Sequence, residues 1–191
     1  RNISMATASK YCSEVHYMFR GRKYFATGLK NDSGGWELRN KYYKNSSSPK
    51  DITHIKNGYD KLIITEDLLS ILEYHKNLES DYDFLVLNST AFVQKVMRTL
   101  EGYSSIELYL DNDSNGKRTT EKLMAHSKSC KDKSKHYSGF KDMNEWLRGS
   151  SIRPTSNSGV PFTRKSYSRK ERSGPVFPFR STAVVPPSEI L

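Results

Sequence analysis

Three short apolar runs, each leading into a stretch with helical spacing, constrain this chain most. They are Lys61-Leu-Ile-Ile-Thr65, Asp83-Phe-Leu-Val-Leu87 and Ser105-Ile-Glu-Leu-Tyr-Leu110. Apolar runs of this length without alternation suit strands covered on both faces. After the first, Leu68, Leu69, Ile71, Leu72 and Leu78 predict a helix over 67–78. After the second, Phe92, Val93, Val96, Met97 and Leu100 fall on one helical face, and Gly102 is a stop signal. After the third, residues 115–129 predict a mostly polar helix carrying Leu123, Met124 and Ala125. A weak strand over 135–138 and a short helix over 143–147 follow. Repeated β-α units of this kind predict an α/β fold: a small parallel sheet with helices on both faces.

Residues 1–60 read differently. Glu14-Val-His-Tyr-Met-Phe19 and Lys23-Tyr-Phe-Ala-Thr27 flank Arg20-Gly21-Arg22, a hairpin pattern. Gly34-Gly35 marks a second turn before Trp36-Glu-Leu-Arg39, and Asn40-Lys-Tyr-Tyr-Lys-Asn45 follows. This is an antiparallel β arm with basic and aromatic residues interleaved. From Gly149 onward Ser, Pro, Gly, Arg and Lys dominate, and six of the seven prolines lie there. Such a composition buries too little apolar surface to offset its ordering entropy. The expected organisation is therefore a basic arm at 1–60, an α/β domain at 61–148 and a disordered basic tail at 149–191. Tyr167, Phe177 and Phe179, set among Arg169, Lys170, Arg172 and Arg180, give the tail the composition of a non-specific single-strand binder; a plain flexible tail is the alternative.

Charge follows the same division. The chain carries a net charge of +10 over 191 residues. The arm holds eleven Lys/Arg against five Asp/Glu, the middle thirteen against fourteen, and the tail seven against two. Positive charge concentrated in the flanks points to a polyanionic partner, nucleic acid being the commonest. No run approaches the roughly 18 apolar residues of a membrane span. Two cysteines, Cys12 and Cys130, build neither a disulfide framework nor a zinc finger, so a cytoplasmic, reducing compartment is expected. Arg1 in place of an initiator Met suggests a fragment or processed piece. His16, His54, His75, His126 and His136 show no metal-ligand spacing and read as structural or surface residues.

The chemistry lies in carboxylates at strand ends. In open α/β sheets ligands sit beyond the carboxyl ends of the strands, where strand order reverses. Glu66 ends the first strand and Asp111-Asn112-Asp113 the third. With strand order 2-1-3 these ends meet. Like charges about 4 Å apart repel by about 4 kcal/mol at an effective dielectric near 20. A divalent cation relieves that repulsion, and oxygen-only ligands favour Mg2+ or Mn2+ bridging to phosphate. Gly116 and Lys117, at the start of the following helix, are candidate phosphate-binding residues. The competing reading of Asp113 is an ordinary helix cap.

These residues carry a resemblance. Ile-Ile-Thr-Glu66 after a buried strand, then Leu110-Asp-Asn-Asp113 with Gly116, resemble the Glu and Asp-x-Asp motifs of the Toprim domain, shared by DnaG-type bacterial primases, topoisomerases and some nucleases. Arg20-Gly21-Arg22, Tyr42-Tyr43-Lys44-Asn45 and Ser48-Pro49 look like the amino-terminal part of a DnaG-type polymerase core. Ala8-Ser-Lys-Tyr-Cys12, Gly34-Gly-Trp-Glu-Leu-Arg-Asn40 and Ser48-Pro-Lys-Asp-Ile-Thr53 look most similar to Toprim primase-like proteins of bacterial mobile elements. The resemblance spans about residues 5–148. It implies a Toprim fold and DNA primase activity: short RNA primers made from nucleoside triphosphates on single-stranded DNA, in replication of a chromosome or mobile element, with a replicative helicase as partner. Glu66, Asp111 and Asp113 take the catalytic and metal roles, with Asp142 as a further metal ligand. Arg39, Lys41, Lys44 and Lys50 line the template groove, or stand on an ordinary solvated edge. The family's zinc-binding domain is missing from this sequence, its removal ahead of Arg1 being one reading and its absence the other.

The chain departs from the family at three positions. Asp67 stands where Gly usually follows the motif Glu, and Ser70 and Asn144 stand where acids are usual. Two fewer acids lower the charge available to a second metal ion. A non-catalytic single-strand-binding module that kept the fold is therefore an alternative, and a Toprim nuclease a weaker one.

Overall fold

The computed structural model describes residues 3–41, 43–75, 78–150 and 182–191, except for the side chain of Ser150. Two five-stranded sheets organise them. Helix α1 (Met5–Tyr11) precedes the first sheet, which holds β1 (Ser13–Phe19), β2 (Arg22–Lys30), β3 (Trp36–Arg39) and β4 (Lys44–Ser46). The second holds β5 (Thr53–Ile55), β6 (Lys61–Thr65), β7 (Asp83–Val86), β8 (Ser105–Tyr109) and β9 (Cys130–Asp132). Helices α2 (Leu68–Tyr74), α3 (Val93–Thr99), α4 (Ser114–His126) and α5 (Met143–Ser150) connect or follow its strands. Strand β10 (Thr182–Val185) returns to the first sheet.

The second sheet has order β5-β7-β6-β8-β9, so the three apolar runs lie in the expected 2-1-3 arrangement, all parallel. Alternate residues feed two helical layers, as the period of two in a strand requires. Leu62, Ile64, Leu85, Ile106 and Leu108 face α3 and α4 through Val93, Val96, Leu100 and Leu123. Ile63, Phe84, Val86 and Tyr109 face α2 and α5 through Leu68, Ile71, Leu72 and Met143. Both faces are thus buried, which is why these strands carry no polar alternation.

Three expectations in this domain change. The last parallel strand is Cys130–Asp132; residues 134–137 form a 3₁₀ turn. Asp132 accepts the Ser134 amide at 2.8 Å and ends the strand. Tyr137 then turns inward, 1% exposed, and its hydroxyl donates to the Leu110 carbonyl at 2.6 Å. Helix α2 stops at Tyr74, its C-cap His75 bonding back to Ile71. Helix α4 stops at His126, where the Ser127 amide bonds back to Leu123 in extended conformation.

The arm is an antiparallel meander from β1 to β4, with Arg20 and Gly21 at positive φ in the first turn. Val15, Tyr17, Ala26 and Leu38 bury its inner face. Its end overlaps the second sheet, since β5 pairs antiparallel with β7.

The expectation of a disordered tail is corrected for its last ten residues. Strand β10 pairs in parallel with β1, and Val185 enters the arm's core at 3% exposure. The chain then crosses to the opposite edge: the Ser48 amide donates to Glu189 at 2.7 Å, and the Leu191 amide to Ser46 at 2.9 Å. One short segment therefore pairs with both edges of the arm sheet. Apolar Ala183, Val185 and Ile190 supply the burial that overrides a Pro-rich composition. Tyr167, Phe177 and Phe179 lie outside the described residues.

A junction built on Asp51 joins the arm to the second sheet. Asp51 is buried, and Lys95 of α3 donates to both of its oxygens at 2.6 Å. Ser33 of the β2–β3 turn donates at 2.6 Å, and the side-chain amide of Asn88 donates to the Asp51 carbonyl at 2.8 Å. Asn88, just past β7, thus holds the chain leaving the arm against the loop after β7.

Candidate active site

Neighbouring parallel strands β6 and β8 deliver Glu66 and Asp111 to one edge of the second sheet. The Asp111 amide donates to Glu66 Oε1 at 3.2 Å. Asp113 caps α4, accepting the Asn115 and Gly116 amides at 3.0 Å each. Asp142 accepts the Glu145 amide at 2.7 Å, at the start of α5. Capping and clustering are therefore both true of Asp113: one carboxylate oxygen holds the helix, and the charge still acts on its neighbours.

The four carboxylates are electrostatically coupled. Burial pushes the Asp111 carboxyl up to about 7, with Glu66, Asp142 and Asp113 adding repulsion in that order and Lys141 opposing it. Burial also raises Glu66; the Asp111 amide and Lys44 oppose the rise, while Asp113 and Asp142 add to it. Four carboxylates at one sheet edge thus burden one another with negative charge, the situation a divalent cation relieves. The donor set is all oxygen and suits Mg2+ or Mn2+. No three His, Cys, Asp or Glu among the described residues already stand in a metal-holding group, so the carboxylates are coupled without forming a finished cage.

Gly116 serves close packing. A Cβ at this position would overlap the Asp111 carbonyl, so only glycine lets the first turn of α4 approach the strand end. Lys117 lines a cleft of about 660 Å3 together with Asn112, Asp113, Lys135 and Lys141. Asn112 anchors the floor of that cleft. Its side chain donates to the Phe140 carbonyl at 2.9 Å and to the Tyr137 carbonyl at 3.2 Å, and its amide donates to the Lys141 carbonyl at 2.7 Å. Sequence reading passed over Asn112 and Lys141; the Asn between the two motif acids was the available signal.

The departures from the family pattern are linked in space. Ser70, fully buried, donates to Asp67 at 2.7 Å and accepts from the Asn144 side chain at 3.1 Å. The two positions where acids are usual thus form a neutral hydrogen-bonded pair between α2 and α5.

Of the basic residues, Lys44 comes near the carboxylates. Its ammonium is lowered by loss of solvation and by Arg39, while Glu37, Glu66 and Asp111 act in the opposite sense. Arg39 stands directly opposite it across β3 and β4. Lys44 and Lys50 line a smaller cleft of about 210 Å3 with Glu37, Asn88 and Ser89. Lys41 is exposed at the turn between β3 and β4. No described helix is long and apolar enough to cross a membrane.

Comparison with known proteins follows this geometry. Residues 64–147 match a family model described as Toprim-like, and residues 1–48 match one described as a domain of unknown function. No curated protein matches the sequence. Among solved structures, the primase fragment of the bacteriophage T7 primase-helicase protein superposes with a TM-score of 0.56 at 17% identity, covering 80% of this chain and 69% of that one. A chain from an assembly of the T7 lagging-strand DNA polymerase with primase domains bound to an RNA/DNA hybrid and dTTP superposes with a TM-score of 0.55 at 16% identity. It covers 79% of this chain and 83% of its own length. At this identity the likeness is one of fold.

Proposed function

With residues 64–147 a Toprim-like domain as the premise, we propose that the protein is a DNA primase-like nucleotidyltransferase, making short RNA primers on single-stranded DNA during replication. The observation that carries this is the coupled set Glu66, Asp111, Asp113 and Asp142 at one sheet edge, with Lys44 of the arm acting on Glu66 and Asp111 and Arg39 standing opposite Lys44. In this reading the carboxylates hold Mg2+ or Mn2+, which supplies charge neutralisation for a transferring phosphoryl group. Arg39, Lys41, Lys44 and Lys50 bind the template backbone as point charges. Lys117, with Lys135 and Lys141 on the same cleft, offers cations to the phosphates of a nucleoside triphosphate. Gly116 lets the first turn of α4 approach the strand end, which sets its backbone, already donating to Asp113, beside those phosphates. A DNA helicase is the natural partner, as in the T7 protein whose name joins the two activities. The cytoplasm is the corresponding compartment.

Glu66→Gln tests this reading, because the amide keeps the shape and removes the charge. Primer synthesis from nucleoside triphosphates is expected to vanish in the variant; synthesis at the wild-type rate would overturn the assignment.

A second reading, a single-strand-binding module whose metal chemistry has been lost, takes its only support from the neutral Ser70–Asn144 pair. It predicts steeply salt-dependent binding that needs no divalent cation and survives Glu66→Gln.

A further inference from the structure

The register of the arm sheet places one row of residues after another on the face opposite its core. Leu38, Ala26 and Val15 point inward, so their neighbours along each strand point outward. The outward row Lys44, Arg39, Thr27 and Glu14 is fixed by direct cross-strand pairing. Lys44 in this row feels Glu66 and Asp111. The next row, two residues along the strands, is Phe25, His16 and Val184, and the one beyond is Lys23 and Met18. Rows two residues apart are separated by about 7 Å, about the spacing of successive nucleotides in an extended strand.

This face is apolar where water would favour polar side chains. Phe25 is 52% exposed, Val184 77% and Met18 38%. Of its acids, Glu14 is bonded to His16 at 2.7 Å and Glu37 lies beside Lys44 in the smaller cleft, and its rim is cationic at Lys23, Arg39 and Lys44. An exposed ring flanked by cations is what recognition of unpaired bases along a phosphate backbone requires. We propose that this face is a base-stacking platform for single-stranded nucleic acid, with Phe25 the ring on which an unpaired base lies. Val184, brought in by β10, and Met18 complete its apolar floor. The proposal deepens the primer-synthesis reading and takes the identity of the strand from it.

The test is fluorescence anisotropy of the full chain with a thymidine oligonucleotide, in the presence of a chelator. Phe25→Ala is expected to weaken binding by about fivefold or more, as loss of a stacked base does. Phe25→Trp is expected to restore it, with tryptophan emission quenched on binding. An abasic oligonucleotide with the same number of phosphates is expected to bind wild type and Phe25→Ala equally. Equal affinity of the two proteins for the thymidine oligonucleotide would overturn the platform. So would an equal loss on the abasic strand, or unquenched emission in Phe25→Trp, since either result leaves charge or folding as the cause. The readout is independent of catalysis. A protein that makes no primers yet loses thymidine binding in Phe25→Ala keeps the platform and loses the primase reading. Primer synthesis that Glu66→Gln abolishes, alongside an indifferent Phe25→Ala, does the reverse.

Discussion

In the sheet of the Toprim-like domain, Ile63, Phe84, Leu85 and Leu108 have no exposed surface, and successive residues along a strand vanish into opposite helical layers. In the arm sheet Val15 is equally buried, but its neighbour His16 and that residue's cross-strand partner Phe25 stand in water. The Toprim-like sheet commits both faces to stability and leaves chemistry only at the strand ends, where Glu66 and Asp111 emerge. The arm sheet commits one face to stability and keeps the other for contact. The difference teaches where to look for each kind of function: at the edge of a doubly covered sheet, and across the open face of a singly covered one.

Core truncation draws the sharpest contrast. Ile63→Ala is expected to cost about 3–4 kcal/mol, because a fully packed site between two layers collapses poorly. Leu38→Ala in the arm is expected to cost nearer to about 2 kcal/mol. Chemical denaturation followed by circular dichroism measures both, and a larger loss at Leu38 would invert the comparison.

The junction sets the middle of the scale. Asp51→Ala removes the shared acceptor of Lys95, Ser33 and the Ile52 amide, and is expected to cost about 2–3 kcal/mol. The arm is expected to lose amide protection before the Toprim-like sheet does. Hydrogen exchange that falls uniformly through both sheets would show that they do not open separately.

The smallest effect is electrostatic and depends on pH. An unfolded aspartate titrates near 4, whereas Asp111 titrates at about 7 in the fold. Between those values the folded state holds the extra proton, so this group's contribution to stability falls as pH rises from about 4 to about 7. Asp111→Asn escapes that loss. In chelator it is expected to match the wild type at pH 4 and to exceed it by about 1–2 kcal/mol at pH 8, the partly solvated site reducing the full effect. Thermal melting across the range checks it; a difference that stays constant with pH would mean the carboxylates do not burden one another.

Much of this was legible because local and tertiary signals agree. The runs at 61–65, 83–87 and 105–110 read as buried strands since burial on both faces removes polar alternation from them. The 2-1-3 order stood only as the condition under which Glu66 and Asp111 meet, and the pairing of β6 with both β7 and β8 fulfils it. The hairpin at Arg20-Gly21 was visible in its glycine, which takes a positive φ. Other features depend on partners distant in sequence. Helix α1 is only seven residues long and is held by distant partners: Tyr11 packs against the core under α2 and α5, and Glu73 and Glu79 accept from Thr7 and Lys10 at 2.7 Å. The bond between Ser70 and Asn144 joins positions that read separately as losses. Strand β10 hides in a Pro- and Ser-rich context because its order comes from β1, not from its own composition.

That strand also sets an order of assembly. All five strands of the Toprim-like sheet have been synthesised by Asp132, whereas the arm sheet, begun at Ser13, lacks its parallel partner until Val185 has been joined to the chain. During translation the early strands must wait, with an unpaired edge, until the whole Toprim-like sheet and β10 have been made. The arm sheet begins before the Toprim-like sheet and is completed after it, so slow decoding around β10 harms strands made well before it.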